Sequence, residues 1–369
     1  MKILFLTPFL PSKIAGGHNY TRLLLKQLAE YGCDVDLLYC KYPTDPYYEN
    51  PDENHIKVIR VCKISSLIKL FNAVKIPFFY PIFTIRFSLR NLFFLMKKNK
   101  EKHYDVVYLD HPQMYLYGKF FKQSKILMAH DVMAQRYERV SRLLSKVVML
   151  GEKYLLRMPN STVFSFSIKD QVLMKNLYGI ESKVTNFFMD SRILQLGKPV
   201  VDDYYVFFGK WDRNDNLDGM KWFFTDVYPL LGKNVKVKII GVALPLEYQQ
   251  KLKDFPSVDY LGFVDNPYEI IANAKAMLAP LFSGAGVKVK VIESLACGTP
   301  VVGSEIAFEG ISREWNDFMI LANDPSTFAS AMKVEHIGVD VRILFRTKFL
   351  EKYNSQSVIR YFEGCTKNV

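Results

Sequence analysis

Two lysines and a glutamate in the last third of the chain form the pattern with the clearest chemistry. Lys288, Lys290 and Glu293 follow a run of small residues, 283–286, whose sequence Ser-Gly-Ala-Gly lets the backbone turn tightly. Residues 287–297 then carry apolar side chains at helical spacing. A glycine loop that opens onto a helix presents the first backbone N–H groups of that helix, which attract an anion together with the helix dipole.

The charges around this helix start indicate what it binds. Acidic side chains are normally favoured there, so Lys288 and Lys290 indicate that an anionic ligand neutralises them. Glu293 lies one turn after Lys290 on the same face, and its carboxylate can accept hydrogen bonds from two sugar hydroxyls. A solvated Lys–Glu pair on a surface helix is the alternative for each residue alone. The combination favours a binding site.

The same stretch resembles a known family. The pattern G-x-G-V-K-x-K-V-I-E-S-L-A-C-G-T-P-V-V-G-S, followed by E-G-I, is similar to the nucleotide-sugar loop of GT-B glycosyltransferases, in particular retaining family 4, the glycosyl transferases group 1. The resemblance implies that Glu293 holds the nucleotide ribose, that Lys288 acts in catalysis and that Lys290 meets the diphosphate. It assigns further donor contacts to Gly284, Ala285, Gly286 and Val287. Family members often have a glutamate at the Ala285 position, but a branch with G-S-G or G-A-G lacks it.

Composition limits the other possibilities. The chain has 369 residues, 49% of them hydrophobic and 23% charged, which suits two soluble domains with ample core. The net charge of +12 suits diphosphate substrates or anionic lipid, and no RNA-binding signature or long basic block points to nucleic acid. Five scattered cysteines without CxxC spacing argue against a metal or disulfide framework, and we expect a reducing cytoplasm. We expect no signal peptide and no spanning helix.

The chain begins like a Rossmann fold. A strand over residues 2–6, a loop with Gly16 and Gly17, a helix from residue 20 to 30 and a strand over 35–39 form a βαβ unit. No GxGxxG follows the first strand, which argues against a dinucleotide oxidoreductase. In the resembled family the Gly-Gly loop faces the donor diphosphate and the acceptor, and a simple glycine turn is the alternative. A DxD metal motif at residues 34–36 is rejected because it starts an inner strand.

Polar residues follow two later strands. Asp110-His111 ends one, and His130-Asp131 ends the next, where the ligand crevice of a parallel sheet lies. The segment ILMAHDVMAQRYERV resembles the family's H-N-V…R segment, which implies that His130 is catalytic and that Asp131 contacts the donor sugar. Buried structural histidines are the alternative, and for His111 this is the favoured interpretation.

Residues 65–102 are rich in Phe, Leu and Ile with interleaved basic residues, and they end in a lysine cluster. Such a composition is typical of a helix at a membrane interface. A core helix over residues 83–96 with a solvated basic end is the alternative. We expect this stretch to bind an anionic membrane surface beside a lipid-linked acceptor.

The second half contains three more strand ends that match the family. The segment FFGKWDRNDNLDGMKWFF implies that Gly209 approaches a phosphate and that Lys210 supplies catalytic charge. Family members often have an Arg–Lys pair here, and the second position looks like Asn216, so Lys288 or Lys290 is expected to replace the charge. The resemblance also places the nucleobase at Gly241, Phe263 and Val264, although a core position is favoured for the Phe263 ring.

We therefore expect an α/β protein with the GT-B fold, two Rossmann-like domains facing across a cleft. The expected domains are 1–190 for the acceptor, 200–345 for the nucleotide sugar, and C-terminal helices over 346–369 whose last helix crosses back to the N-terminal domain. The expected activity is that of a retaining glycosyltransferase of the hexosyltransferase type, acting on a nucleotide-diphosphate sugar and a glycan or lipid-linked acceptor, with no metal or other cofactor. A nucleotide-sugar 2-epimerase and a non-catalytic membrane-associated subunit are the alternatives.

Overall fold

The computed structural model describes residues 1–13, 16–76, 79–232, 234–333, 337–353, 358 and 360–362. These residues form two compact units. The N-terminal unit comprises Met1–Lys13, Gly17–Asn186 and the described residues of Gln356–Val369; the C-terminal unit comprises Ile14–Gly16, of which Gly16 is described, and Phe187–Ser355.

The N-terminal unit is built on a parallel sheet, which has seven strands among the described residues, in the order β3-β2-β1-β4-β5-β6-β7. The strands are β1 (Lys2–Thr7), β2 (Asp34–Lys41), β3 (Ile56–Lys63), β4 (Val106–Asp110), β5 (Ser124–Ala129), β6 (Ser161–Ser165) and β7 (Lys183–Val184). The helices are α1 (Gly16–Glu30), α2 (Ser66–Val74), α3 (Leu89–Lys102), α4 (Pro112–Gly118), α5 (Met133–Glu138), α6 (Arg142–Leu156) and α7 (Ile168–Tyr178). The strands β1, β4 and β5 are buried almost throughout because helices cover both faces of the sheet.

The C-terminal unit repeats this architecture with a parallel sheet in the order β10-β9-β8-β11-β12-β13. Its strands are β8 (Tyr205–Phe208), β9 (Val237–Ile240), β10 (Val258–Gly262), β11 (Met277–Ala279), β12 (Val301–Gly303) and β13 (Met319–Leu321). Its helices are α8 (Ser191–Leu194), α9 (Asn214–Trp222), α10 (Leu246–Lys251), α11 (Tyr268–Asn273), α12 (Val289–Ala296), α13 (Pro325–Met332) and α14 (Val339–Tyr353). The order is that of a Rossmann fold, so the expected fold class of two Rossmann-like domains is confirmed.

Strand order predicts where each unit binds ligands. The order reverses between β1 and β4 in the first sheet and between β8 and β11 in the second. Ligands of open parallel sheets bind outside the carboxyl ends of the strands at such a reversal. In the N-terminal unit these ends are Thr7 and Asp110, and in the C-terminal unit they are Phe208 and Ala279.

Several expectations about elements need correction. Gly16 and Gly17 lie in the first turn of α1, not in a loop before it. The described residues of 65–102 form two helices, α2 and α3, separated by a short turn of 3-10 helix at Pro81–Phe83. The core helix expected over 83–96 is present only from Leu89 onward, where α3 buries Leu92 and Leu95. Proline at residue 81 cannot donate a backbone hydrogen bond, which favours a break there.

The C-terminal part also differs from a purely helical reading. Residues 319–321 form the edge strand β13, although helices were expected throughout this part. The expected boundary at residue 346 lies inside α14. Val358 and Phe362 are buried, and the rings of Phe362 and Tyr108 stack at 6.3 Å within the N-terminal unit.

The rejected DxD motif has a structural explanation. Asp36 is 3% exposed and accepts hydrogen bonds from the Tyr104 hydroxyl and from Lys102 Nζ at 2.7 Å. Asp36 therefore ties β2 to the end of α3 and to the residues before β4.

Candidate functional site

The start of α12 combines a glycine turn with two lysines. Gly284 and Gly286 have φ angles of 106° and 66°, a region that side chains other than glycine rarely adopt. Lys288 occupies the N-cap position, and its side chain makes no capping hydrogen bond to the helix. The first backbone N–H groups of α12 are thus not capped by this side chain, as an anion site requires.

Lys288 is held against the loop that precedes it. Its Nζ donates to the Gly286 carbonyl at 2.6 Å and to the Ala285 carbonyl at 3.3 Å. A carboxylate oxygen of Glu309, from the E-G-I segment, lies 3.6 Å from the same nitrogen, and both side chains are about nine-tenths buried. The residues of the two sequence motifs therefore meet at one ammonium group.

Lys290 reaches across to the turn between β8 and α9. Its Nζ donates to Asn216 Oδ1 at 2.7 Å, and Asn216 Nδ2 donates to the Lys210 carbonyl at 2.8 Å. Lys288 or Lys290 was expected to replace the cation that is missing at the Asn216 position. Lys290 lies where such a replacement requires it, because its ammonium group contacts the Asn216 side chain.

The surroundings of Lys290 lower the pKa of its ammonium group. Burial, together with the nearby charges of Arg213 and Lys288, lowers its pKa to about 7, although the charge of Asp215 opposes this shift. Arg213 donates to both carboxylate oxygens of Asp215, at 3.1 and 2.9 Å. An anion brought to Lys290 would raise its pKa again.

Lys210 lies at the β8–α9 turn with a more exposed side chain. Its Nζ is 2.9 Å from Asp212 Oδ2, and about a third of the side chain is exposed. Asp212 thus already forms an ion pair with Lys210, the residue that was expected to bind a phosphate. The neighbouring Gly209 is in close contact with the next strand end, because a Cβ built on Gly241 would lie 1.7 Å from the Gly209 carbonyl oxygen.

Glu293 is positioned by a residue that the sequence did not single out. The buried Tyr268 hydroxyl donates to Glu293 Oε1 at 3.1 Å, and burial together with the Glu293 charge raises the pKa of Tyr268 well above its usual range. Tyr268 starts α11, twenty-five residues before Glu293. Its phenol stays protonated and fixes one carboxylate oxygen.

The expected nucleobase segment is open to solvent at its aromatic residue. The Phe263 ring is 57% exposed, so the core position favoured for it is wrong. Val264 beside it is partly exposed, and Gly241 N donates to the Gly262 carbonyl at 2.8 Å. An exposed ring at the end of β10 is available for stacking.

The N-terminal unit places a carboxylate at its own topological reversal. Asp110 is fully buried and accepts hydrogen bonds from Thr7 Oγ1 at 2.8 Å and Thr21 Oγ1 at 2.7 Å. His130 Nε2 lies 2.7 Å from its other oxygen. Burial opposes ionisation, but the neighbouring His111 and His130 and the hydrogen bonds lower the pKa of Asp110 to about 2. Because the carboxylate only accepts, His130 Nε2 carries the proton, and Nδ1 is the acceptor in the neutral ring.

His111 packs directly on His130. The two rings stack with centroids 3.5 Å apart and planes 9° from parallel. Burial holds the pKa of His111 well below its usual range, so His111 is neutral. Its φ of 63° and ψ of 155° lie in a region that is almost restricted to glycine, which indicates backbone strain at this strand end.

Gly17 leaves space beside the two rings. A Cβ at this position would lie 3.4 Å from His111 Nε2 and 3.6 Å from His130 Nδ1. The backbone of α1 thus approaches the edges of both histidine rings at Gly17. Asp131, the other predicted residue here, has a quarter of its side chain exposed and lies 3.8 Å from Arg136 Nη1.

Asp110, His111 and His130 also offer one possible metal ligand atom each, all within 4.8 Å of one another. The stacked rings fit a shared ion poorly, because the lone pair of each imidazole nitrogen lies in its ring plane and the two planes are parallel. Asp110 is also occupied by three hydrogen-bond donors.

Comparison with known proteins relates the C-terminal unit to a known family. Residues 202–334 match the family described as glycosyl transferases group 1. The match covers the β8–α9 turn, the α12 loop and Glu309. The chain is a glycosyltransferase with the GT-B fold. The resemblance expected from the sequence is confirmed at this level, and assignment to retaining family 4 stays a prediction.

Individual relatives are distant in sequence. An uncharacterized 44.6 kDa protein in the cps region of Klebsiella pneumoniae is 22% identical over 339 residues, covering 85% of each chain. The crystal structure of HepE from Anabaena in complex with UDP-glucose is 16% identical and covers all of both chains, with a TM-score of 0.67. The structure of WaaG, a glycosyltransferase involved in lipopolysaccharide biosynthesis, is 12% identical and covers 96% of this chain and 95% of WaaG, with a TM-score of 0.61.

The structure therefore groups the predicted residues of this glycosyltransferase into two sets. The C-terminal unit brings Lys288, Lys290 and the β8–α9 turn together, with Glu293 on the same helix as Lys290. The N-terminal unit brings Gly17 and His130 together. Sequence reasoning missed the supporting residues: Tyr268, Thr7, Thr21 and the role of Asp110. The only sequence signal for Thr7 and Asp110 was that polar side chains end β1 and β4.

Proposed function

We propose that this glycosyltransferase moves a sugar, with retention of anomeric configuration, from a nucleotide-diphosphate donor to a hydroxyl of a glycan or lipid-linked acceptor. The proposed setting is cell-surface polysaccharide or lipopolysaccharide synthesis on the cytoplasmic side. HepE in complex with UDP-glucose supports a nucleotide-sugar donor. The cps-region relative and WaaG support a role in surface glycans.

One observation carries the proposal: the Lys290 ammonium meets Asn216 at 2.7 Å beside the start of α12, with Glu293 one turn further along. A diphosphate at this helix start would receive backbone N–H groups and two ammonium groups. The attached ribose would then lie toward Glu293, whose carboxylate is steadied by Tyr268.

The proposed chemistry is stabilisation of the leaving diphosphate. As the sugar–phosphate bond lengthens, negative charge grows on the departing phosphate, and the backbone amides of Gly284–Val287 with Lys210, Lys288 and Lys290 offset it. The acceptor proton passes to that phosphate, so no protein nucleophile and no metal ion is required. Removing one such donor should cost about 3 kcal/mol of barrier, roughly a hundredfold or more in rate.

His130 is assigned to the donor sugar. With Asp110 fixing its protonated Nε2, its Nδ1 edge beside Gly17 accepts a hydrogen bond from a sugar hydroxyl. Asp131 follows it and orients the same sugar. Both residues bind and orient, and neither transfers a proton in this proposal.

Membrane attachment completes the proposal. No described helix is long and apolar enough to cross a bilayer. Residues 65–102 would instead hold the enzyme at an anionic membrane surface beside a lipid-linked acceptor: α2 exposes Leu70 and Phe71 at 66% and 67%, and α3 exposes Phe93 at 67%. If lysine and phenylalanine substitutions in this stretch left vesicle binding unchanged, this part of the proposal would be wrong.

A panel of sugar nucleotides tests the donor. Thermal unfolding should shift upward with one nucleotide class, because a ligand that binds only the folded state stabilises it. The same nucleotide sugar should then be consumed only when an acceptor is present. Conversion of the donor without acceptor would identify a 2-epimerase. Binding without turnover across lipid-linked acceptors would identify a non-catalytic subunit.

A further inference from the structure

Helix α6 carries an exposed apolar row that the catalytic proposal does not use. Its members are spaced three and four residues apart, so they share one helix face. They are Val140 just before the helix, Leu143, Val147, Leu150 and Tyr154, exposed by 74%, 73%, 47%, 65% and 57%. The opposite face of α6 is buried in the core of the unit, through Val148, Glu152 and Leu155.

Helix α2 presents a second row of the same kind. Leu67, Leu70, Phe71 and Val74 follow helical spacing and are 66–79% exposed. Its Asn72, on the inner face, is 5% exposed and donates to the Ile85 carbonyl at 3.2 Å.

The two rows belong to neighbouring elements. Described residues between α2 and α3 contact both α2 and α6. Asn72 of α2 donates to the Ile85 carbonyl, and the Phe79 ring lies 5.7 Å from the Tyr154 ring of α6. A Cβ at Gly151 would lie 3.0 Å from the Phe83 ring, so this glycine lets the segment pack closely on α6. The exposed rows therefore flank one shared segment.

The charges on the exposed faces of these two helices have one sign. The chain contains no Asp or Glu between Glu53 and Glu101. The acid within α6, Glu152, is fully buried and accepts from the N–H groups of Met133 and Ala134. The exposed face of α6 therefore carries cations without an acid, and α2 adds two more. These cations are Arg142, Lys146 and Lys153 on α6, and Lys69 and Lys75 on or beside α2.

This charge pattern selects the partner. Two copies of the chain meeting through these rows would bring cation against cation, which disfavours a homodimer. The exposed acid Glu138 lies before the first residue of the α6 row, Val140, and not within the row. Apolar side chains surrounded by lysine and arginine suit a bilayer with anionic headgroups, where the apolar groups enter the acyl boundary and the cations remain among the headgroups.

We propose that α2 and α6 together form one docking surface for an anionic lipid bilayer, here named the α2–α6 surface. The inference extends the membrane part of the proposed function and rests on it, but it is independent of donor and acceptor chemistry. It adds α6, which lies outside the stretch expected to bind membranes, and it requires both helices to contact lipid in the same bound state.

Vesicle sedimentation of the full chain tests the surface. The probes are vesicles of phosphatidylcholine alone and of phosphatidylcholine mixed with phosphatidylglycerol. One variant, Leu143→Ser with Leu150→Ser, removes apolar groups of α6, and another, Arg142→Glu with Lys146→Glu, reverses its charge. Leu246→Ser is the matched control, because Leu246 is 75% exposed on α10 of the other unit. Thermal unfolding with and without UDP is recorded for every variant.

The apolar variant should bind mixed vesicles at least about tenfold more weakly than the control, because two inserted leucines are lost. The charge variant should lose the preference for phosphatidylglycerol. Equal vesicle binding by the α6 variants and the control would overturn the inference, as would a concentration-dependent dimer of the chain that the α6 variants dissociate. Absence of a UDP shift alongside α6-dependent vesicle binding would count against a UDP-sugar donor and leave the surface supported.

Discussion

The depressed pKa of Lys290 makes donor affinity depend on pH in a defined direction. Burial lowers this pKa to about 7 in the ligand-free protein, and a diphosphate beside the ammonium would raise it toward the usual value. Binding then takes up a proton above about pH 7, so affinity falls as pH rises. The fraction of Lys290 that is protonated drops about tenfold between about pH 6 and about pH 8, and the affinity should drop by the same factor.

The Lys290→Met variant isolates this contribution. Near pH 6 the variant should bind more weakly by about 1.5–3 kcal/mol, the usual value of a hydrogen bond to a charged group. Near pH 8 the difference should shrink, because the wild-type lysine is then largely neutral. Lys253→Met, which removes an exposed lysine of the same unit, is the control and should keep the wild-type pH profile.

Isothermal titration calorimetry across this pH range is the assay. The ligand should be the sugar nucleotide with the largest thermal shift, since it lacks the terminal phosphate whose second pKa near 6 would add its own proton uptake. Titrations in two buffers of different ionisation enthalpy count the protons taken up. Parallel pH profiles for wild type and Lys290→Met, or affinity that rises with pH in the wild type only, would refute the reasoning.

Three further predictions concern other polar side chains of the two units. Glu293→Ala should weaken nucleotide binding by about tenfold or more in calorimetry and Tyr268→Phe by less, because the phenol only steadies the carboxylate; a larger effect of Tyr268→Phe would contradict this order. Asp110→Asn should lower kcat about tenfold or more with little change in nucleotide affinity, because it allows the other tautomer of His130; an unchanged kcat would remove the orienting role. Burial raises the pKa of Glu152 to about 7, so the free energy of unfolding contributed by its protonation is fully present below about pH 4.5 and is lost as pH rises toward 7. Urea titrations should show a flatter profile for Glu152→Gln over this range, and an identical slope would exclude that assignment.

The fold was largely predictable because its strongest signals are local. The loop and helix of residues 283–297 were expected within two residues of their observed bounds, since glycines and a helical apolar stripe define them. The strands β6, β7 and β13 were not expected from the sequence, and β13 lies in a part of the chain where only helices were expected. The strand β3 was missed because basic residues interrupt its apolar pattern.

The candidate site was predictable only where one motif contains it. Lys288, Lys290 and Glu293 lie within six residues, so helix geometry alone groups them. The contact of Lys290 with Asn216 joins residues 74 positions apart, and that of Thr7 with Asp110 joins residues 103 apart. Such contacts depend on strand order, which local patterns do not specify. The exposure of the α6 row also depends on tertiary packing. The sequence of this helix is ordinary and did not predict an exposed row, whereas the composition of residues 65–102 is unusual in itself.

A crystal structure with bound UDP tests most directly whether the start of α12 holds the donor diphosphate. We predict the phosphates at the N–H groups that begin α12, within hydrogen-bond distance of Lys290 Nζ, and the ribose hydroxyls on the Glu293 carboxylate. A nucleotide bound elsewhere, with the Lys290–Asn216 contact and the α12 start untouched, would contradict the account.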